Sequence, residues 1–238
     1  MKTAVNVDQF YKDRYAPKET ISAFVEKVFQ RWILANAKGR KVLDSGCGDG
    51  ALTAQLARSF EVTGVDISEG SLRQARKLGL KTVKHDFTKK LPFRDEEFDT
   101  AVSSQVLEHI YDTDFYLSEI YRVLKKVGML LITTPNAVSL TDRARVMFGK
   151  LPITCEVSLQ YKLGSKEKPN GHIRPYTFSE LRNQLRRTGF KIVEERTTNF
   201  PFPVYWNVPG ALKLLAVRLG TLKPSFGGQI MIKAVKQS

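Results

Sequence analysis

A glycine-rich segment that joins a short apolar strand to a helix constrains the fold of this chain more than any other feature. Residues 42–50 read Val-Leu-Asp-Ser-Gly-Cys-Gly-Asp-Gly, and Leu52, Leu56 and Ala57 then follow at helical spacing. Glycine adopts backbone conformations that other residues avoid, so the main chain can approach a ligand closely. The helix that follows presents free N–H groups in its first turn. A strand, a loop and a helix in this order indicate an α/β fold with a ligand site at the loop.

Apolar residues along the chain alternate between strand spacing and helix spacing. Strands are predicted at 41–44, 62–65, 80–84, 98–103, 129–133, 190–195 and 229–235. Helices are predicted at 17–37, 52–57, 70–78, 112–125 and 177–187. The last helix begins with Thr177 and Glu180, at the spacing of a capping box. Strands that alternate with helices of this length form parallel βαβ units, here with seven strands on one sheet.

Two segments lack this regularity. Residues 136–175 contain prolines, glycines and basic residues, and residues 197–226 are rich in proline and aromatic side chains. A long irregular stretch in a compact domain is usually functional or disordered. We therefore expect a single domain over residues 1–238, in which these two variable insertions form a cap over the substrate. The second insertion fits a lid over an apolar substrate, an interfacial helix on an anionic membrane, or a helix packed on the sheet.

Cysteine content and hydropathy exclude several classes of protein. Cys47 and Cys155 are too few for a disulfide framework or a four-ligand zinc site. No apolar run approaches the roughly 18 residues of a membrane span, and the first residues lack the apolar core of a signal peptide. We therefore expect a soluble, cytoplasmic protein without a transmembrane segment.

Positive charge is concentrated in the second half of the chain. Residues 1–135 hold 21 basic and 18 acidic residues, whereas residues 136–238 hold 17 and 6, a net charge of +11. A field of this sign favours phosphate groups, nucleic acid or an anionic membrane surface as a partner. A basic surface that only keeps the protein in solution would explain the same excess.

Two acidic residues at the ends of predicted strands indicate an adenosine-like ligand. Asp66 ends the second strand, 20 residues after Gly46, where a carboxylate can accept hydrogen bonds from both hydroxyls of a ribose. Asp86 follows the third strand, at a position suited to the exocyclic amine of an adenine, with Phe87 beside the ring. The loop and these acids together predict that the chain binds an adenosine derivative.

A nicotinamide cofactor is the main alternative for that ligand. Gly46, Gly48 and Ala51 also fit the G-x-G-x-x-A form of the dinucleotide fingerprint. Asp44 opposes this interpretation, because a carboxylate two residues before the first glycine would repel a pyrophosphate. It could instead pair with an ammonium or sulfonium group.

With the end of the fourth strand included, the segment 42–135 resembles the class I S-adenosylmethionine-dependent methyltransferases of the large small-molecule group. The resemblance is carried by V-L-D-S-G-C-G-D-G (42–50), G-V-D-I-S (64–68), H-D-F (85–87), L-P-F-R-D-E-E-F-D (91–99), V-L-E-H-I (106–110) and G-M-L-L-I-T-T-P-N (128–136). It implies an α/β, Rossmann-like sheet of seven strands in the order 3-2-1-4-5-7-6, flanked by helices, with the last strand antiparallel. It also implies S-adenosylmethionine as cofactor and S-adenosylhomocysteine as product. The implied reaction is methyl transfer to an oxygen or nitrogen atom of a small-molecule or lipid-like acceptor. An anionic acceptor would suit the basic second half of the chain.

The resemblance assigns cofactor contacts to the residues that match the family's motifs. They are Asp44, Gly46, Cys47, Gly48 and Gly50 in the loop, Asp66 at the ribose, Ile67 and Phe87 beside the adenine, Asp86 at its amine, Ser104 and Gln105 at the methionine end, and Tyr15. Tyr15 resembles N-terminal aromatic residues that close over the cofactor, although it could equally pack within a helix. Cys47 has no base nearby in the sequence, so we do not expect it to act as a nucleophile.

Glu108 and His109 raise the question of a metal ion. Some relatives, including ubiquinone-type and small-RNA 2′-O-methyltransferases, place a further Glu three residues before such a pair to hold a divalent ion. Here that position is Gln105, a neutral and poorer ligand, so we predict no metal. His109 is then a pocket residue that orients or deprotonates the acceptor, or a structural histidine at the strand end.

A second group of candidate catalytic residues lies at 170–176, Asn-Gly-His-Ile-Arg-Pro-Tyr. It resembles a G-H-x-R-x-Y-T stretch found in many methyltransferases of this group. His172 could supply a base, Arg174 a bidentate clamp for an anion, and Tyr176 a hydrogen bond to the acceptor. A turn with a solvated Arg174 is the alternative.

Two other functions remain open at this level. The basic second half would suit a nucleic-acid methyltransferase, although no RNA-binding motif accompanies it, so a nucleic-acid partner is not favoured. A regulator that binds the cofactor without turnover is the other, which the polar residues at 104–109 oppose.

Overall fold

The computed structural model describes residues 21–157, 171–198 and 223–237. Within them, seven strands form one sheet: β1 (Lys41–Ser45), β2 (Glu61–Asp66), β3 (Thr82–Lys84), β4 (Phe98–Ser104), β5 (Leu124–Pro135), β6 (Phe190–Arg196) and β7 (Gln229–Lys236). The helices are α1 (Ile21–Asn36), α2 (Ala51–Leu56), α3 (Glu69–Lys77), α4 (Thr113–Val123), α5 (Leu140–Met147) and α6 (Phe178–Arg187). Short 3₁₀ turns lie at Leu107–His109 and Pro224–Phe226.

The strand order is β3-β2-β1-β4-β5-β7-β6, which confirms the order that the resemblance implied. Strands β1 to β5 pair in parallel, and β7 runs antiparallel to both β5 and β6. The carboxyl ends of β1, β2, β3 and β4 therefore meet at one edge of the sheet, where ligands of open α/β sheets bind.

Neighbouring residues of the central strands belong to two different cores. On β5, Leu130 packs in the cluster that contains α4 and α6, and Leu131 packs in the cluster that contains α1 and α2. Both leucines are fully buried, because successive side chains of a strand point to opposite faces and helices cover both faces. This double burial explains why the strands read as continuous apolar runs rather than alternating ones.

Polar side chains begin the helices where the sequence predicts. The Thr177 hydroxyl accepts a hydrogen bond from the Glu180 amide at 3.3 Å, and Asp112 accepts one from the Phe115 amide at 2.9 Å. Each contact satisfies an amide that has no partner within its own helix.

One helix lies where we expected none. The segment 136–175 contains α5, whose first turn is capped by Ser139, so the prediction of an irregular segment was wrong at this place. The Ser139 hydroxyl accepts from the Asp142 amide and donates to the Asp142 carboxylate at 2.6 Å. This pair, three residues apart, was the signal in the sequence, and the prolines and glycines around it obscured it.

Several expectations lie outside the described residues. They are the aromatic contact of Tyr15, the start of the first helix at 17–20, the segment 158–170 of the first insertion and the segment 199–222 of the second. The cap that these insertions are expected to form stays a prediction. Among the helices that the structure describes, none combines the length and apolar character needed to cross a bilayer.

Candidate active site

The glycine loop turns sharply between β1 and α2. Gly46 has φ of 79° and Gly48 has φ of 54°, in the left-handed region that favours glycine. A Cβ on Gly46 would overlap the Val106 side chain, whereas a Cβ on Gly48 would meet open space. The first glycine is therefore required by packing, and the second faces a free volume beside the loop.

Most amides at the start of this loop are already bonded within the protein. The amides of Gly46 and Cys47 donate to the Val65 carbonyl at 2.7 and 3.0 Å, and the Gly48 amide donates to the Asp66 carboxylate at 2.9 Å. A pyrophosphate is normally bound by such amides when they are free. The loop therefore lacks the donors that a dinucleotide would need at these three positions.

Asp66 joins the end of β2 to the glycine loop. Its second carboxylate oxygen accepts from the Ser68 amide at 2.8 Å. Each oxygen of a carboxylate can accept more than one hydrogen bond, so both retain capacity for ligand hydroxyls. The side chain is thus positioned by two amides while it remains half-buried at the strand end.

The carboxylate of Asp44 is buried beneath the glycine loop. The side chain is 2% exposed, and the Thr53 hydroxyl donates to it at 2.6 Å. Burial raises the pKa of Asp44 to about 6, the Thr53 bond opposes this rise, and repulsion from Asp66 adds to it. A cation placed above this carboxylate would stabilise its charged form.

A cleft of about 470 Å³ opens beside the loop. Six of the predicted cofactor residues line it: Asp44, Gly46, Cys47, Gly48, Ser104 and Gln105. The sequence analysis missed the opposite wall, which comes from Glu26, Phe29 and Gln30 of α1, and it also missed Gln229 of β7. The three α1 residues have helical spacing of three and four, but nothing in that pattern says what the helix faces.

The Cys47 side chain is buried, and its backbone amide bonds to Val65 of β2. Burial, together with the nearby carboxylates of Asp44 and Asp66, raises the pKa of its thiol to about 12. A thiol reacts as its thiolate, so this environment opposes a nucleophilic role for Cys47.

Ser104 and Gln105 line the cleft where β4 ends. The Gln105 amide nitrogen donates to the Thr133 hydroxyl at 3.2 Å and to the Gln229 carbonyl oxygen at 3.3 Å. The Ser104 hydroxyl shares a 3.0 Å hydrogen bond with the same threonine. Strands β5 and β7 thus hold both side chains at the cleft.

The residues expected around an adenine lie beyond this cleft, at the ends of β2 and β3. Ile67 is 59% exposed, and Asp86 accepts from the amide and hydroxyl of Thr88, which lowers the pKa of Asp86. The Phe87 ring is buried and packs edge-on against Tyr116, with ring centres 5.3 Å apart. We expected this ring beside the adenine, but core packing turns it inward.

Two histidines that are 63 positions apart in the sequence meet beyond the end of β4. The rings of His109 and His172 lie 5.1 Å apart between centres, and ligand atoms of both lie within 4.8 Å of a Glu108 carboxylate oxygen. The segment 171–174 is held there because the amides of Ile173 and Arg174 donate to the Glu108 carbonyl at 2.9 and 3.1 Å.

Backbone contacts also determine how these groups can act. His109 Nδ1 lies 3.0 Å from the Gly171 carbonyl oxygen, which can only accept, so Nδ1 carries a proton and Nε2 holds the lone pair when the ring is neutral. Burial raises the pKa of Glu108. One Glu108 oxygen accepts from the Thr134 hydroxyl, and the other has no hydrogen-bond partner among the described residues.

A third potential metal ligand comes from the segment 171–174 rather than from position 105. Gln105 takes no part in the cluster, whereas His172 does. Two imidazoles and one carboxylate form a donor set that can hold a divalent transition metal, or work as a proton-transfer group without one.

Arg174 and Tyr176 differ from what the sequence predicts. Arg174 donates from Nε and Nη2 to the Tyr111 carbonyl oxygen and lies over the Tyr111 ring, so this side of its guanidinium is not free to clamp an anion. Tyr176 is 6% exposed, packs in the core, and donates its hydroxyl hydrogen to Gln184 at 2.9 Å. Burial raises the pKa of Tyr176, which further opposes a role in proton transfer.

Comparison with known proteins now identifies the family. The family described as a methyltransferase domain matches residues 43–132. A probable S-adenosylmethionine-dependent methyltransferase from Mycolicibacterium smegmatis is 36% identical over 118 residues, which are 48% of this chain and 45% of that protein. The chain belongs to the class I S-adenosylmethionine-dependent methyltransferases.

Other relatives extend this similarity beyond the cofactor half. A ubiquinone biosynthesis O-methyltransferase from Ruegeria is 35% identical over 174 residues, 71% of this chain and 66% of that protein. The crystal structure of a methyltransferase from Archaeoglobus fulgidus has the same fold, with a TM-score of 0.63 and 20% identity, covering 97% of this chain and 100% of that one. The chain spans less than half of the M. smegmatis relative and about two thirds of the Ruegeria one.

The cofactor of this family is S-adenosylmethionine, and the site has the chemistry to accept it. The molecule carries a sulfonium and an ammonium but no phosphate. The cleft offers the buried Asp44 carboxylate, the acidic side chains of Glu26 and Asp49, and loop amides that are already bonded. A cleft of this size lies in the usual range for small-ligand sites, roughly 300–1,000 Å³.

Proposed function

We propose that this protein transfers the methyl group of S-adenosylmethionine to an oxygen or nitrogen atom of a small-molecule or lipid-like acceptor. The observation that carries the proposal is the end of β4. Ser104 and Gln105 line the acidic cleft there, and Glu108 and His109 begin the histidine cluster a few residues later. The end of β4 therefore provides both residues that would contact the cofactor and groups that can move a proton.

The cofactor would lie along the carboxyl ends of β1 to β4. Its methionine end would occupy the cleft above Asp44, against the loop residues Gly46, Cys47 and Gly48 and beside Ser104 and Gln105. Asp66 would accept from the ribose hydroxyls, and Ile67 and Asp86 would contact the adenine. Gly50 lets the loop pack closely against α3, because a Cβ at this position would overlap Ala75. Tyr15 would complete the site from outside the described residues.

The protein would act by alignment, charge compensation and proton transfer. Methyl transfer from a sulfonium is an in-line displacement, and the cofactor supplies the activated methyl when bound. Asp44 would balance positive charge while the substrates are held apart from water. His109 Nε2 would take the proton from an acceptor hydroxyl, while the Gly171 carbonyl holds Nδ1–H and keeps the ring oriented.

The acceptor class follows from the histidine cluster and from the relatives. An oxygen nucleophile must lose a proton, and the cluster provides a base for it. The Ruegeria relative is named as an O-methyltransferase of ubiquinone biosynthesis. Because the Arg174 guanidinium donates to the Tyr111 carbonyl, an anionic acceptor is supported only by the net positive charge of residues 136–238.

The test follows the methyl group. The protein is incubated with S-adenosylmethionine labelled in its methyl group and a total cell extract, which is then separated into organic-soluble molecules, water-soluble small molecules and nucleic acid. We expect label in a small molecule of the organic-soluble or water-soluble fraction, at least tenfold less of it with His109→Gln, and unchanged binding of S-adenosylhomocysteine by that variant. Label in nucleic acid would instead favour the second candidate, which the basic half of the chain suggests. Cofactor binding without any labelled product would indicate a regulator.

A further inference from the structure

The segment that follows β5 exposes an unusual set of apolar side chains. Half of the large hydrophobic residues that are exposed in the described parts of the chain lie within residues 146–157. We call this set the α5 apolar face: Val146, Met147, Phe148, Leu151, Ile153 and Val157. Met147 is 84% exposed and Phe148 is 79% exposed. Single exposed apolar residues are common on proteins, but a contiguous group marks an interaction surface.

Two polar side chains of α5 position the loop that follows it. The buried Asp142 carboxylate accepts from the Ile153 amide at 2.8 Å, and Arg145 Nε donates to the Leu151 carbonyl at 2.9 Å. These bonds close the loop after α5 onto the helix. The apolar side chains are therefore held outward by specific contacts, which is the reverse of the usual arrangement in a surface helix.

The charge around this face is positive. Arg143, Arg145 and Lys150 lie within or beside it, and both arginines keep their charge although each donates from Nε to a backbone carbonyl and Arg143 also lies over the Phe226 ring. The two acids of the segment are engaged inward, since Asp142 caps α5 and Glu156 accepts from the amides of Gly171 and His172 at 2.7 and 3.1 Å. Exposed apolar side chains beside cations, with both acids of the segment bonded to backbone amides, are typical of a segment that lies in the interface of an anionic membrane.

We propose that the α5 apolar face docks on an anionic lipid surface. A second copy of the chain would fit this face poorly, because a two-fold contact would bring the same three cations opposite each other. Nucleic acid would use the cations but leave the exposed Met147 and Phe148 without a partner. A bilayer accommodates both kinds of side chain. The apolar side chains would lie below the lipid phosphates, and the cations would lie level with the phosphates.

This docking would place the membrane next to the acceptor side of the site. Glu156 of the same segment holds the 171–172 backbone, and His172 belongs to the histidine cluster. A lipid-like acceptor could then approach the cluster from the bilayer. The docking itself needs no turnover, so it can be tested independently of the proposed reaction.

The experiment is co-sedimentation of the protein with vesicles of phosphatidylcholine, with and without phosphatidylglycerol. We expect binding to the anionic vesicles only, weakened by salt. Met147→Ser combined with Phe148→Ser should lower the partition constant more than about tenfold, because each side chain loses its burial in the lipid. Lys150→Gln should lower it about fivefold, the effect of one cation near an anionic surface.

Leu78→Ser is the matched control, since Leu78 is 59% exposed at the end of α3, outside the face, and should leave binding unchanged. All these side chains are exposed, so thermal unfolding should show the variants folded. Three results would overturn the proposal: no binding to anionic vesicles, equal binding to neutral ones, or normal binding by the double variant. A dimer in solution that the double variant abolishes would also overturn it and assign the face to a second copy.

Discussion

At the scale of single residues, the site depends on carboxylates in contrasting environments. Asp66 is half-buried and held by two amides, whereas Asp44 is fully enclosed and accepts from one hydroxyl. Glu108 is buried with one oxygen unpaired among the described residues. Such differences in solvation and hydrogen bonding determine which acids stay charged and which respond to a ligand.

Asp44 should make both stability and cofactor binding depend on pH. Its pKa is raised from 3.8 to about 6, so between these values the unfolded chain loses the proton more readily than the folded one. Stability without cofactor should therefore fall as the pH rises through this range, by about 3 kcal/mol over the full shift and by about 2 kcal/mol between pH 4.5 and 7.5. Asp44→Asn should remove this loss, and chemical unfolding at pH 4.5 and 7.5 measures it.

The same substitution should weaken binding of the cofactor at pH 7.5, where the charged wild-type carboxylate favours a cation. Wild-type affinity should decline below pH 6 and that of Asp44→Asn should not. A variant that is no more stable than the wild type at pH 7.5, or that binds with the wild-type pH profile, would show that Asp44 is not the group responsible.

Asp66→Ala should weaken binding of S-adenosylhomocysteine by about 1.5–3 kcal/mol, the usual contribution of hydrogen bonds to a charged group. The matched control is Glu61→Ala, which removes an exposed carboxylate from the other end of β2. NAD should show no measurable binding, because the Gly46, Cys47 and Gly48 amides are occupied. Isothermal calorimetry measures all three; equal losses in both variants, or NAD binding as tight as that of S-adenosylhomocysteine, would contradict the assignment.

Methyl transfer should survive treatment with EDTA. The sulfonium supplies an activated methyl without a Lewis acid, and the lone pair that His109 Nε2 holds when the ring is neutral can accept the proton directly. The measurement is turnover of labelled cofactor before and after chelation, with addition of Mg²⁺, Mn²⁺ or Zn²⁺. If activity disappears and one of these ions restores it, Glu108, His109 and His172 act as metal ligands instead.

At the scale of elements, two helices contribute what their sequence pattern alone did not indicate. Helix α1 provides the far wall of the cleft through Glu26, Phe29 and Gln30, and the Gln30 side chain accepts from Gln55 at 2.9 Å, which ties α1 to α2. Helix α5 interrupts a segment that reads as irregular. In both cases packing against other parts of the chain decided the role of the helix.

Ser139→Ala should destabilise the protein by about 2 kcal/mol, at the upper end for loss of an N-cap. The reason is that Ser139 also donates to the buried Asp142 carboxylate, which would lose this partner. Ser118→Ala is the control, because that exposed hydroxyl bonds only to a carbonyl of its own helix. Urea unfolding should show a change within about 0.5 kcal/mol for the control. Equal losses in the free energy of unfolding for the two substitutions would mean that the Ser139 cap of α5 does not stabilise the protein more than an ordinary surface hydroxyl does.

At the scale of the whole molecule, parallel pairing gathers separate motifs at one edge of the sheet. The loop after β1, the acids after β2 and β3, and the polar residues after β4 lie far apart in sequence and meet because their strands run in the same direction. Most of the net positive charge lies in the part of the chain that follows β5, which holds 17 basic and 6 acidic residues and carries the α5 apolar face. In our proposals, most cofactor contacts come from residues up to Gln105, and the membrane contact comes from residues 146–157.

The order of the strands was implied by the family resemblance, whereas the sequence by itself determined the strands, the glycine loop and the acids at strand ends. These features depend on local patterns: apolar runs buried on both faces, glycines at positive φ, and acids at strand ends. Each of these can be read within a window of a few residues. The prediction that Cys47 is no nucleophile also rests on local sequence, and the burial of its thiol supports it.

Only the tertiary structure decided the acceptor side. His109 and His172 meet because the amides of 173 and 174 bond to the Glu108 carbonyl, a contact between segments more than sixty residues apart. The same packing turned Phe87 and Tyr176 into the core and engaged Arg174 with Tyr111. A residue's type shows what chemistry it can perform, but whether its polar atoms are free depends on distant neighbours that no local pattern specifies.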